Sequence, residues 1–193
     1  MLRETRPMRV TGGTLGGRVL KGPSAQNVRP TSDRLREAIF NVLAHGYEDA
    51  ATGARVIDLF AGTGALGIEA ISRGADFALF VDDSAEGRAL VRRNVETLGL
   101  GGVTRLLRRD ATKLGPMPPQ APFTLACLDP PYGKGLAGLA LASLQAGGWL
   151  AKGALVIVEE VAEAEIFVPE GFETLERRDY GGTQVQILRA AQE

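Results

Sequence analysis

From Arg55 onward, short and almost continuously apolar runs alternate with longer stretches of helical periodicity. Strands that are apolar on both sides are typical of a parallel sheet covered by helices on both faces. Because crossovers between parallel strands are right-handed, such a chain winds helices onto both faces in turn. We therefore predict an α/β fold with a doubly wound, mostly parallel, seven-stranded sheet. The predicted strands are residues 55–60, 77–82, 103–108, 123–129 and 154–160, with two more inside 172–189 that pair antiparallel at an edge, and the predicted helices lie near 64–73, 84–98 and 134–147.

The N-terminal residues follow a different pattern. In residues 8–22, short apolar runs are split by paired glycines, which predicts a small hairpin. Either Thr31 or Ser32 is suited to cap the helix that the next apolar positions predict. We therefore divide the chain into an N-terminal extension, residues 1–50, and a main α/β domain, residues 51–193.

The charge of the chain is unevenly distributed. The net charge is −1, but residues 1–40 carry eight basic and three acidic residues, which leaves them at +5 and the remainder at −6. A basic segment on an acidic body is one way in which a protein presents a face to a polyanion such as a nucleic acid. Arginines that are simply solvated explain such a run equally well.

Cysteine content and hydropathy exclude several classes of protein. The single cysteine, Cys127, forms no internal disulfide and lacks partners for a metal cluster, which suits a reducing cytosol. The longest charge-free run is the 17 residues between Lys134 and Lys152, and glycine and glutamine interrupt it. A membrane helix needs about 20 mostly apolar residues. We expect a cytoplasmic protein without a metal or a membrane span.

A glycine-rich segment follows the first predicted strand and leads into a helix. It reads Asp58-Leu-Phe60-Ala61-Gly62-Thr-Gly64-Ala-Leu-Gly67. Glycines let the backbone approach a bound ligand closely, and the free N–H groups of a helix start can face it. The same spacing satisfies the dinucleotide fingerprint, so the segment alone does not separate NAD from other adenosine-bearing cofactors.

Three acidic residues lie at strand ends, and one of them, Asp58, favours S-adenosylmethionine over NAD. Asp82 ends the second strand, where a carboxylate accepts ribose hydroxyls in either kind of enzyme. Asp58 precedes the turn, where a carboxylate suits an ammonium group and repels pyrophosphate. Asp110 ends the third strand, where it can accept the adenine amino group. The plainer alternatives, a turn or capping carboxylate at Asp58 and an exposed loop acid at Asp110, stay open.

The fourth predicted strand ends in Asp129-Pro130-Pro131-Tyr132. In a doubly wound sheet the first and fourth strands flank the point where strand order reverses, so Asp129 should face the same crevice as the glycine loop. Two prolines rigidify the segment and leave carbonyl acceptors without a competing N–H. A carboxylate, a fixed carbonyl and an aromatic ring together form a receptor for a planar amine. These residues are the candidate catalytic group.

With these motifs the chain resembles the class I methyltransferases that modify amines, and more closely the RsmD family of bacterial 16S rRNA (guanine-N2)-methyltransferases. The resemblance covers almost the whole chain, and its most specific part is N-terminal. Two departures from the family pattern are Asp82, where Glu is usual, and Gly16, where Arg is frequent. The N-terminal segments that carry the resemblance are Arg9-Val-Thr-Gly12-Gly13, Gly17-Arg18, Arg29-Pro30-Thr31-Ser32-Asp33-Arg34, and Arg36-Glu37 through Phe40-Asn41.

The resemblance implies S-adenosylmethionine as cofactor and methylation of a guanine N2 amine. It also implies 16S rRNA as substrate partner, either free or within the small ribosomal subunit, and we expect a monomer. The alternatives are an amine methyltransferase acting on DNA adenine-N6, another rRNA site or protein glutamine, an NAD-linked oxidoreductase, and a non-catalytic RNA-binding assembly factor. The expected cofactor contacts are Asp58, Phe60, Ala61, Gly62, Gly64, Asp82 and Asp110, and the expected RNA contacts are Arg9, Arg18, Arg29, Arg34 and Arg36.

Overall fold

A seven-stranded sheet with helices on both faces organises the protein. The structure, a computed structural model, describes residues 7–23 and 32–191. The helices are α1 (Asp33–Gly46), α2 (Ala65–Ser72), α3 (Ala85–Thr97) and α4 (Leu136–Ala146), with a short 3-10 helix at Ala111–Lys113. The strands are β1 (Arg55–Leu59), β2 (Phe77–Val81), β3 (Thr104–Leu107), β4 (Phe123–Leu128), β5 (Leu150–Val161), β6 (Phe172–Tyr180) and β7 (Thr183–Ala190).

The strand order is β3-β2-β1-β4-β5-β7-β6. Strands β1 to β5 are parallel to one another, whereas β7 runs antiparallel to both β5 and β6. This order confirms the predicted doubly wound, mostly parallel sheet with an antiparallel edge. The order reverses between β1 and β4, so the carboxyl ends of these two strands border one crevice.

Burial on both faces explains why the strands are apolar throughout. Successive side chains of a strand point to opposite faces, and accordingly Val56 and Ile57 of β1 enter two different cores. The first core lies against α1, α2 and α3, and the second contains α4 together with the buried Trp149.

The N-terminal segment packs onto the first core. A single antiparallel bridge joins Arg9 and Val19, and the amide of Leu20 donates to the carbonyl of Met8 at 2.8 Å. This is the predicted hairpin in its shortest form, and the side chains of Val10 and Leu20 are buried beside the helices.

Helix α1 begins where a polar cap satisfies its first amides. The hydroxyl of Ser32 accepts from the amide of Leu35 at 3.1 Å, as the sequence predicts for one of its two candidates. The other candidate, Thr31, lies outside the described residues. None of the helices in residues 7–23 and 32–191 is long and apolar enough to cross a membrane.

Candidate active site

A cavity of about 600 Å³ opens at the carboxyl ends of the parallel strands, beside the point where strand order reverses. Among the predicted residues it brings together Asp58 and Tyr132, which are 74 positions apart in the chain. Of the predicted cofactor and catalytic residues, only Gly64 does not form part of its wall. The predicted residues in the wall are Asp58, Phe60, Ala61, Gly62, Asp82, Asp110, Asp129, Pro130, Pro131 and Tyr132.

The glycine loop turns sharply through left-handed backbone conformations. Phe60, Gly62 and Gly64 have φ values of 57°, 57° and 79°, and the amide of Gly64 donates to the carbonyl of Ala61 at 2.7 Å. Gly64 is the residue before α2, and a Cβ there would lie 3.2 Å from the ring of Phe80. Gly64 therefore makes the turn possible, while its neighbours in the loop line the cavity.

The third glycine of the fingerprint lets α2 approach the sheet. A Cβ on Gly67 would lie 2.5 Å from the ring of Phe80 and 3.2 Å from the carboxylate of Asp58. This is the close helix–strand packing for which the third glycine of the motif is needed.

Asp58 is a buried carboxyl group in the cavity wall. One of its oxygens accepts from the amide of Gly67 at 2.9 Å, at the start of α2. Burial raises the pKa of Asp58 to about 8, although the Gly67 amide acts in the opposite direction. No ion pair with Asp58 is formed by the part of the chain that the structure describes. A cationic amine would stabilise the ionised form of this group.

The carboxylate of Asp82 is oriented by three hydrogen bonds from residues that also line the cavity. One oxygen accepts from the amide of Gly62 at 2.8 Å, and the other accepts from the amide and hydroxyl of Ser84 at 2.8 and 2.7 Å. A Cβ on Gly87 would lie 2.7 Å from this carboxylate. Gly87 thus makes room for Asp82 beside α3 because it has no side chain. Sequence reasoning missed this role of Gly87.

Asp110 caps a short helix and also lies in the cavity wall. One of its oxygens accepts from the amide and hydroxyl of Thr112 at 2.8 and 2.7 Å, which caps the short 3-10 helix. These bonds lower the pKa of Asp110. The residue also forms part of the cavity wall, as the cofactor role requires.

The Asp129–Tyr132 segment continues from β4 along the cavity. The amide of Asp129 faces the carbonyl of Leu59 in β1 at 3.5 Å, so the motif begins directly beside the glycine loop. The hydroxyl of Tyr132 donates to Glu159 in β5 at 2.6 Å. Burial, together with this hydrogen bond, raises the pKa of Tyr132 above its usual range. Sequence reasoning missed Glu159, because only the pairing of β4 with β5 brings it to the motif.

Three of the five arginines expected to contact RNA are exposed, namely Arg9, Arg18 and Arg34. A guanidinium nitrogen of Arg9 donates to the carbonyl of Gly17 at 2.9 Å. Arg29 lies outside the described residues.

The structure contradicts the prediction for Arg36. Its side chain is completely buried and pairs with Glu69 of α2 at 3.3 Å and with Asp33 at 2.8 Å. It also donates to the carbonyl of Arg9. A buried carboxylate on the neighbouring helix thus holds this arginine inside the protein, where it cannot reach a phosphate.

The described residues form no group of three or more His, Cys, Asp or Glu side chains that could hold a metal ion.

Comparison with known proteins places the chain in a family. The model of the family described as "Conserved hypothetical protein 95" matches residues 8–189. The putative rRNA methyltransferase YlbH of Bacillus subtilis is 33% identical over 185 residues, which cover 94% of this chain and 98% of the relative. The ribosomal RNA small subunit methyltransferase D of Escherichia coli K12 is 38% identical over 157 residues, which cover 81% of this chain and 76% of the relative.

A solved structure agrees with these relatives. The putative methyltransferase yhhF from Escherichia coli superimposes with a TM-score of 0.82 at 30% identity, over 97% of this chain and 99% of that chain. Since the family model and these relatives extend over most of the sequence, the chain belongs to the family of ribosomal RNA small subunit methyltransferase D.

Proposed function

We propose that the protein is an S-adenosylmethionine-dependent methyltransferase that methylates the exocyclic N2 amine of a guanine in 16S rRNA. The observation that carries this proposal is a shared cavity. The Asp129–Tyr132 segment, which can receive an amine, lines the same cavity as the glycine loop and the carboxyl groups of Asp58, Asp82 and Asp110. The names of the relatives support small-subunit rRNA as the substrate.

The cavity suits the cofactor in both charge and shape. Asp58 would hold the ammonium of the methionine moiety, Asp82 the ribose hydroxyls and Asp110 the adenine amino group. A buried carboxyl group without a cation from the described chain is a fitting partner for that ammonium, and Gly62 adds no side chain to the cavity wall. S-adenosylmethionine, when bound, supplies a methyl group on a sulfonium centre.

Asp129 and Pro130 would bind and orient the amine of the substrate. The guanine amine is a weak nucleophile, because its lone pair is delocalised into the ring. If the carboxylate of Asp129 and the carbonyl of Pro130 accept its two hydrogens, the nitrogen is drawn towards a pyramidal geometry while the ring of Tyr132 stacks on the base. Alignment of this kind contributes on the order of 7–11 kcal/mol to lowering a barrier.

The exposed arginines support RNA as the polymer that reaches this cavity. Arg9, Arg18 and Arg34 would contact phosphates, with Arg29 as a further candidate, so that residues 1–50 form an RNA-facing extension of the methyltransferase domain, 51–193. A base has to leave its stack to enter such a cavity, and this costs least in a single-stranded loop. We further propose that the protein works as a cytoplasmic monomer.

Nucleoside analysis of cells that lack the protein tests this function directly. We expect mass spectrometry of their small-subunit rRNA to show one N2-methylguanosine fewer than in the parent strain, and purified protein with S-adenosylmethionine to restore it. A loss of N6-methyladenine from DNA would transfer the activity to the adenine alternative. Unchanged nucleosides together with RNA binding would favour the assembly factor instead.

Cofactor choice is tested separately by thermal unfolding. A ligand that binds only the native state raises the unfolding temperature. We expect S-adenosylhomocysteine to raise it and NAD to leave it unchanged. A larger shift with NAD would favour the oxidoreductase.

A further inference from the structure

The aromatic residue of the proposed substrate motif, Tyr132, is hydrogen-bonded to a buried glutamate of the neighbouring strand. Tyr132 donates its hydroxyl to an oxygen of Glu159 at 2.6 Å, and Glu159 is only 2% exposed. Glu159 belongs to β5, the strand next to β4, so the tie crosses from the end of one parallel strand to its neighbour.

A second buried glutamate holds the residue that follows. The amide of Gly133 donates to Glu160 at 3.1 Å, and the same oxygen of Glu160 accepts from the amide of Val161 at 2.8 Å. Glu160 is also 2% exposed. Gly133 has a φ of 70°, a left-handed conformation in which the chain turns away after the motif. Two consecutive residues of the motif loop are therefore held by two consecutive residues of β5.

These contacts leave one role for the tyrosine. Its hydroxyl is already used as a donor to a carboxylate, and its pKa lies above the usual range, so it is not a base at neutral pH. What remains available to the cavity is the face of the ring, whose position depends on where the hydroxyl is fixed. A charge-assisted hydrogen bond to a buried carboxylate is a strong way of fixing it.

We propose that Glu159 and Glu160 are positioning residues for base recognition: they clamp Tyr132 and Gly133 so that the ring is held ready to stack on the target guanine. This rests on the proposed function of the cavity. The glutamates act through the motif loop and do not touch the substrate or the cofactor.

A double-mutant cycle on Tyr132 and Glu159 tests the clamp. Tyr132→Phe keeps the ring and removes the tie, and Glu159→Ala removes its acceptor. Each should lower kcat/KM for rRNA by about ten- to a hundredfold, the range expected for losing a hydrogen bond to a charged group. The combined variant should be no worse than either single one, because both changes break the same contact. Affinity for S-adenosylhomocysteine, measured by calorimetry, should not change.

Conservative and matched variants separate positioning from general stability. Glu159→Gln keeps an acceptor oxygen and should recover most of the activity lost in Glu159→Ala. Glu173→Ala removes an exposed carboxylate from β6 and should leave activity unchanged. Additive losses in the cycle, or a parallel loss of cofactor affinity, would overturn the proposal.

Hydrogen exchange gives a readout that needs no activity. Without RNA, Glu159→Gln should leave the exchange of residues 132–135 close to wild type, whereas Glu159→Ala and Glu160→Ala should speed it. Unchanged exchange in both alanine variants refutes the clamp even if the wild-type protein methylates no rRNA. If wild type is inactive but exchange responds as expected, the clamp stands and the proposed function fails.

Discussion

At the scale of single residues, Asp129 is the group on which the chemistry depends most directly. It stands at the end of β4 beside the glycine loop, in the wall of the cavity. We expect Asp129→Ala to abolish methyl transfer to rRNA in a tritium-transfer assay, because the amine would lose its charged acceptor. Affinity for S-adenosylhomocysteine should stay within about twofold, which is roughly 0.4 kcal/mol. Near-normal turnover by this variant would remove Asp129 from its proposed role.

Asp58 predicts a pH dependence of cofactor binding. Its pKa is raised from 3.8 to about 8 by burial, so the group is mostly neutral at pH 7 in the folded protein. Only the ionised form pairs with an ammonium, so affinity for S-adenosylhomocysteine should rise as the pH increases from 6 towards 8. Calorimetry across this range should show the rise in wild type and a flat, weaker profile in Asp58→Asn. A flat profile in wild type would mean that Asp58 does not hold the amine.

The same raised pKa also makes the stability of the fold depend on pH. The sign of this dependence is opposite to that for an acid whose pKa is lowered by folding. Between the unfolded value, near 4, and the folded value, near 8, the native state binds more protons than the unfolded state at Asp58. The contribution of Asp58 to the free energy of unfolding therefore falls as the pH rises through this window. A bound ammonium would offset this loss.

Residues at strand ends could be found from the sequence, whereas their supports could not. Asp58, Asp82 and Asp129 each follow an apolar run, and parallel strands bring such positions to one edge. Glu159 also ends an apolar run, but nothing local shows that it meets Tyr132, 27 positions earlier. Arg36 was misjudged for a related reason, because its partner Glu69 lies 33 positions away on another helix.

At the scale of elements, one glutamate of α2 joins the N-terminal segment and α1 to the main sheet. The buried carboxylate of Glu69 accepts hydrogen bonds from the amides of Thr11 and Gly12, both at 3.0 Å. It also pairs with Arg36 of α1 at 3.3 Å and with Arg73 at 3.0 Å. Three segments of the chain thus converge on one side chain.

Removing this carboxylate should be strongly destabilising. Glu69→Ala leaves the guanidinium of Arg36 without its buried counter-charge, because its other partner, Asp33, is partly exposed. Breaking a buried pair in this way costs about 3–5 kcal/mol. Urea unfolding should show this loss. Arg178→Ala, which breaks a largely solvent-accessible pair with the half-buried Glu176, is the matched control and should cost about 1 kcal/mol or less. Equal losses in the two variants would show that Glu69 is not a structural centre.

The elements themselves were largely predictable, because each has a clear period and clear ends. The strands begin and end within a few residues of their predicted bounds, apart from β5, which begins at Leu150 and not at 154. Its early part includes Lys152 and Gly153, which broke the apolar run, yet Leu150 still pairs with Phe123 of β4. Pairing with a neighbouring strand thus extended β5 beyond what its own residues indicate.

At the scale of the whole molecule, the N-terminal segment and the cavity are physically joined. The side chain of Asn94 in α3 accepts from the amide of Lys21 at 2.7 Å and donates to its carbonyl at 3.0 Å. The same side chain donates to the carbonyl of Thr63 in the glycine loop at 2.9 Å. Pro23, two residues after Lys21, lines the cavity. The segment that carries the exposed Arg9 and Arg18 therefore reaches the wall of the site at Pro23.

Because of this connection, substitutions of the N-terminal arginines can test RNA binding separately from methyl transfer. Arg18 and Arg34 are exposed, and neither lines the cavity. Each phosphate contact that is lost should lower the log–log salt slope of RNA affinity by about 0.7–0.9, because fewer counterions are released. We expect Arg18→Ala and Arg34→Ala each to weaken RNA binding in this way, with the double change additive and S-adenosylhomocysteine affinity unaltered. Lys152→Ala removes an exposed charge near the amino end of β5, whereas the cavity lies at the carboxyl ends of the parallel strands, and it should leave the slope unchanged. If all these variants share the wild-type slope, these two arginines are ordinary solvated surface, and the RNA approaches the cavity from another side.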